Sequence, residues 1–150
     1  MKYLRPYRIA CYLLVLFCAA HTFGGMLAEQ SFGAKADAVF ASMKSVQFSC
    51  AGADCTWYGF WFGFGLTVSL FLVLSAIIAW QLDKVTSESW SAVSVIAWAL
   101  FAIHASNAVI CWMYFFAAPG VLQTLVAVLF GVGALQKQRQ AARRVVASLG

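Results

Sequence analysis

The sequence predicts an all-α integral membrane protein, a four-helix bundle with a short amphipathic helix in its first outer loop. Two observations carry most of that expectation. Only 10% of the 150 residues are charged and 63% are hydrophobic, at a mean hydropathy of +0.84. A soluble domain carries about 25% charged residues, so these few charges cannot cover a water-facing surface. The apolar residues are also gathered into four runs, the fourth shorter than the others, each read as long enough to cross a hydrocarbon core of about 30 Å, which takes ~20 helical residues. Helix is the spanning form, because an open strand in lipid leaves its amide groups unpaired.

The first run, residues 9–27, reads IACYLLVLFCAAHTFGGML behind the basic stretch MKYLRPYR. The same pattern also reads as a cleaved signal peptide, but CAA before His21 is a poor cleavage site and the apolar stretch continues through Phe23 to Leu27. A retained helix is the better reading.

Residues 28–56 then form a loop too long for a mere connector. Within it Val39, Phe40, Met43 and Val46 recur at helical spacing, with Lys35, Asp37, Ser42 and Lys44 between them. That is an amphipathic helix, lying either on the membrane surface or over the bundle mouth as a lid.

The second span covers residues 57–82. Its entry WYGFWFGFG alternates like a strand, but periodicity cannot decide in a fully apolar stretch and length favours helix. The third span is 90–116. The fourth, 121–135, is short and continues into the amphipathic tail 136–150, QKQRQAARRVVASLG. One domain accounts for the whole length.

Lys and Arg set the orientation. Lys2, Arg5, Arg8, Lys84, Lys137, Arg139, Arg143 and Arg144 flank one side of the spans, against Lys35 and Lys44 on the other. Such a bias predicts that both termini are cytoplasmic, with residues 28–56 outside, in a cell inner (plasma) membrane. It also accounts for the net charge of +5 without nucleic acid. The expected partners are membrane lipids, the basic tail attracting anionic headgroups.

In CAGADC, Cys50 and Cys55 fall in the outer loop around a short turn-forming spacer. In an oxidising compartment they are expected to form a disulfide. Two free thiols, or a redox-active pair, are the alternatives. Quinone-coupled four-helix thiol oxidoreductases use a tighter C-x-x-C pair and a second pair in the other outer loop, and both features are missing here. Trp57, Tyr58 and Trp61 stand at the level of an interfacial aromatic belt. Gly59 and Gly63, four apart, share a helix face open to close helix packing.

The chain resembles a family of small uncharacterised bacterial four-helix inner-membrane proteins. The resemblance rests on HTFGG (21–25), VFASMKSVQF (39–48), TWYGFWFGFG (56–65) and AWQL (79–82). It covers the first half of the chain well and the remainder through the helix pattern. Many relatives carry an acidic residue where Gly59 stands here, so any role of that acid is not expected in this chain. The resemblance implies fold and location, and no activity.

Polar groups inside a membrane are costly, which singles out His21, Glu29, His104 and Asn107. At about 1.5 Å per residue, His21 and His104 lie at similar depth in the outer half of helices one and three, with Asn107 one turn beyond His104. Three readings follow. The groups fasten helices by hydrogen bonds; or they line a ligand pocket, with His21 and His104 as binding or acid–base groups; or the two imidazoles are axial ligands of haem b. No cofactor motif is present, and the histidines lack a third ligand at metal-binding spacing. The leading expectation is a binding or structural protein that holds a lipid or other apolar small molecule in an outer-leaflet pocket. The alternative is a membrane-embedded enzyme acting on an apolar substrate through His21 and His104. The sequence leaves enzyme status and oligomeric state open.

Overall fold

The computed structural model describes residues 5–149. The fold is all-α apart from one hairpin, in the order α1 (Pro6–Ala19, running on as a π-helix over Ala20–Met26), α2 (Ala34–Ser45), β1 (Gln47–Cys50), β2 (Ala53–Thr56), α3 (Trp57–Lys84), α4 (Trp90–Tyr114) and α5 (Ala117–Leu149). Four helices are long and apolar enough to cross a membrane. The protein is therefore multi-pass. Its spans begin and end within a few residues of the expected ones, except the fourth. There the expected short helix and its tail are one uninterrupted helix of 33 residues, about 50 Å long. It is longer than the ~30 Å thickness of a hydrocarbon core.

The chain divides into two compact units, Met1–Phe17 with Leu72–Gly150 and Cys18–Phe71. The division cuts through α1 and α3, both continuous across it.

In the first unit α4 and α5 pair as a helical hairpin. Trp112 Nε1 donates to Thr124 Oγ1 at 3.0 Å, and Thr124 in turn donates to the Gly120 carbonyl at 2.8 Å. The Trp112 ring packs so closely over Gly120 that a Cβ there would come within 2.8 Å of it. Small residues let α1 and α5 approach in the same way: the Tyr7 ring lies against Gly133, 2.8 Å from where a Cβ would stand. Tyr7, Leu14, Leu72, Ala79, Ala97, Val126 and Phe130 are buried in this unit. Large apolar residues such as Leu74, Val95, Met113 and Val128 face outward, as expected where the solvent is lipid.

In the second unit the loop is ordered by two devices. Asp37, in the first turn of α2, accepts hydrogen bonds from Ser31 Oγ at 2.6 Å and from the Phe32 amide at 3.0 Å. These hold its carboxyl below the usual carboxylate range, the Ser31 bond contributing most. After α2 the chain makes an antiparallel hairpin turning on Ala51 and Gly52, both at positive φ (50° and 83°), the requirement of a two-residue type I′ turn. Phe48 then stacks on Trp57 (4.9 Å) and Phe60 (6.0 Å), tying the hairpin to α3. Thr56 caps α3 by accepting from the Gly59 amide at 3.0 Å.

Two expectations are corrected here. Cys50 and Cys55 form no disulfide; both are free. The hairpin register sets Cys50 opposite Ala53 and Cys55 opposite Phe48, so the cysteines are diagonal neighbours. Diagonal positions stand about 7–8 Å apart, beyond the ~4.4–6.8 Å between Cα atoms that a disulfide spans. Gly59 and Gly63 do not form a close-packing face either. A Cβ at Gly63 would meet nothing within 4 Å, and one at Gly59 only its own cap, Thr56. The close approach is at Gly65, where Met26 leaves no room for a Cβ.

Candidate functional site

The site grows out of the end of α1. Its final turns widen into the π-helix Ala20–Met26, closed by a bond from the Leu27 amide to the Thr22 carbonyl at 2.9 Å. Two adjacent glycines, Gly24 and Gly25, weaken the α-helical preference here, and side-chain bonds to α3 stabilise the alternative. His21 Nε2 meets the Gly65 carbonyl at 3.0 Å, and Thr22 Oγ1 meets Ser69 Oγ at 2.8 Å. Cys18 Sγ reaches the Ser69 carbonyl at 3.6 Å. Consecutive residues 21 and 22 thus both engage α3. Isolated π turns recur at functional positions.

Beyond this seam the chain leaves α1 through residues 27–32, and α2 comes to lie beside the first turns of α3. Between them is a cleft of about 860 Å³. One wall is aromatic: Phe40 of α2 meets Trp61 edge-on at 5.4 Å, and Tyr58 lies 5.5 Å from Trp61. Phe32 stacks on Phe40 from the loop side, at 6.5 Å. The charged members of the lining are Glu29, Asp37 and Lys44. Lys44 Nζ stands 4.8 Å over the Tyr58 ring, and the Gln30 amide donates to the Gly24 carbonyl. Glu29 is exposed and has no hydrogen-bond or ion-pair partner among the described residues.

Of the residues singled out from sequence, Glu29 lines this cleft and His21 belongs to the seam beneath it. His104 belongs to the other unit. It is fully buried, its Nδ1 lies 3.0 Å from Gln123 Oε1, and its ring is stacked on Phe130 at 5.1 Å. Since the amide oxygen only accepts, Nδ1 carries the proton. Asn107 is half-buried one turn further along α4. The two imidazoles therefore have separate protein partners. Haem ligation draws no support from this geometry, since one ring lies flat on Phe130 and the other bonds a backbone carbonyl. Among the described residues no group of three His, Cys, Asp or Glu side chains is placed to hold a metal ion.

Sequence reasoning missed Gln123 as the partner of His104. It also missed the second role of Tyr58 and Trp61, which stand at the start of a candidate span and wall the cleft as well. The clue for the second was available: an amphipathic helix ahead of an aromatic helix entry places two apolar faces together.

These features define a class, a multi-pass four-helix membrane protein whose first inter-span loop folds into a helix and a hairpin. The chain matches no protein-family model, no curated protein and no solved structure.

Proposed function

We propose that the protein is a binding protein of the cell inner membrane, with both termini cytoplasmic, holding an amphipathic lipid-like molecule in the cleft beneath α2 at the outer leaflet. The observation that carries the reading is the cleft itself, about 860 Å³ and walled by Phe40, Tyr58 and Trp61, with Glu29 and Lys44 also in its lining. Its size falls within the range of about 300–1,000 Å³ typical of small-molecule sites, and aromatic walls with a few charged groups are their usual lining. The aromatic wall suits an acyl chain or other apolar body, and Lys44 supplies a cation for an acidic head. α2 serves as the lid. The orientation is supported by the Lys/Arg bias, and the bacterial inner membrane by the family resemblance. No comparable observation favours catalysis by His21 and His104, each of which is engaged with its own protein partner.

The test is to purify the protein in mild detergent and identify co-purified small molecules by mass spectrometry, beside a Trp61→Ala variant. A stoichiometric amphipathic molecule in the wild type, depleted severalfold in the variant, is the expected result. Equal content in both, or only bulk lipid in membrane proportions, would refute the assignment.

A further inference from the structure

A second cavity lies at the C-terminal end of α3, in the unit that does not contain the cleft. Its centre of charge is Asp83, whose side chain is only 5% exposed. Arg5 grips this carboxylate through Nε at 3.2 Å and Nη2 at 2.5 Å, and Arg8 Nη2 adds a third contact at 2.9 Å. Lys137 comes from α5 but does not pair with the carboxylate. Its Nζ donates instead to the backbone carbonyls of Asp83 (3.3 Å) and Val85 (2.5 Å). Arg8 also lies over Trp80, 4.6 Å from the ring centre. Three cations are thus arranged around one carboxylate, a formal excess of two positive charges in a partly buried place. The Arg5 side chain is half-exposed, so water screens part of this excess, but the excess still favours an anion beside it.

Beside the cluster is a cavity of about 150 Å³ lined by Arg5, Tyr7, Asp83, Gln136, Lys137 and Gln140, among others. Its lining is rich in donors. Arg5 spends two of its five N–H bonds on Asp83, and Lys137 keeps one of its three. The two glutamine amides add more. Tyr7 points to a ligand independently of charge. The residue is 1% exposed, yet its hydroxyl is buried with no hydrogen-bond partner among the described residues. Buried hydroxyls are ordinarily satisfied, because an unmade bond costs about 1–3 kcal/mol. Gly133 holds the Tyr7 ring against α5.

We infer that this cavity binds a phosphate group, carried by an anionic lipid headgroup or by free inorganic phosphate. The size agrees. At about 30 Å³ per water the cavity has room for a phosphate and not for acyl chains, which would remain in the bilayer. Arg5 offers a planar fork to oxyanions, Lys137 a point charge, and the Tyr7 hydroxyl a neutral donor. Basic pockets between spanning helices are known to take phospholipid headgroups.

The experiment uses the full chain in nanodiscs of phosphatidylcholine with or without phosphatidylglycerol, and in detergent with or without inorganic phosphate. Bound lipid is counted by native mass spectrometry, and thermal unfolding is followed in parallel. Tyr7→Phe removes only a hydroxyl that has no hydrogen-bond partner among the described residues, so it is expected to fold as the wild type does. It is expected to weaken retention of phosphatidylglycerol, or stabilisation by phosphate, about tenfold, and Lys137→Gln at least as much. Arg144→Gln breaks an exposed pair with Glu88 outside the cavity and should change either by less than about twofold. A Tyr7-dependent response to phosphatidylglycerol alone identifies a lipid headgroup as the source; the same response to inorganic phosphate identifies a soluble anion. If neither anion acts in a Tyr7-dependent way, or if Arg144→Gln costs as much as Tyr7→Phe, the inference is overturned. The second result would mean diffuse surface attraction.

Discussion

The buried pair His104–Gln123 offers the sharpest test of how the α4–α5 hairpin is held. His104 is 0% and Gln123 1% exposed, and one hydrogen bond of 3.0 Å joins them. Gln123→Leu removes the acceptor and leaves the Nδ1–H of His104 buried without it. His104→Phe keeps a ring to stack on Phe130 and leaves the Gln123 amide without its imidazole donor. Orphaning a buried polar group costs about 1–3 kcal/mol in soluble proteins. Interhelical bonds in membranes average about 0.6 and reach about 1.7 kcal/mol, because the unfolded helices also find partners in the bilayer. Each single variant is therefore expected to lose about 1–1.5 kcal/mol. The double variant should lose little more than either alone, because replacing both partners with apolar groups leaves nothing orphaned. The coupling energy should be about 0.6–1.7 kcal/mol. Reversible unfolding in mixed micelles of increasing SDS fraction, read by circular dichroism, measures all four corners of the cycle. Additive losses would show that the two side chains act independently. Neutral single variants would refute the fastening role and return His104 to the list of functional candidates.

Cys50 and Cys55 should both alkylate in protein isolated without reductant, and a disulfide-linked peptide would refute the diagonal register. Gly63→Ala should be neutral or stabilising by up to about 1 kcal/mol, since helix propensity improves and nothing obstructs the methyl. Gly133→Ala should destabilise, because the Tyr7 ring must move; equal effects in the same micelle titration would contradict the packing described. Asp37 has a lowered pKa, so its stabilisation of the 31–37 turn is complete above the ordinary value of 3.8 and fades as pH falls through the depressed one. Hydrogen exchange at the Phe32 amide, corrected for the intrinsic pH dependence of exchange, should lose protection only in that acid window; loss near neutrality would rule out the carboxylate as its acceptor.

The sequence by itself determined the class of protein. Sparse charge and long apolar runs permit only membrane-spanning helices, because lipid offers the backbone no partners. It also determined α2, whose Val39, Phe40 and Met43 recur at helical spacing inside an otherwise polar loop, and the helical reading of WYGFWFGFG. It did not determine how the helices are turned about their axes. In a soluble protein the polar face marks the outside, but α3 and α4 are apolar all round, and lipid is as apolar as their neighbours. Equal depth made His21 and His104 look like partners; rotation and packing gave one to Gly65 and the other to Gln123. The hairpin was hidden for a different reason: its Ala-Gly turn lacks the Asn-Gly signature, and its strands are only four residues each. Nothing in the sequence singles out Asp83; the fold brings Arg5, Arg8 and Lys137 around it from α5 and from the start of the chain. Contacts across more than fifty residues of sequence depend on which helices neighbour one another, and composition does not encode that.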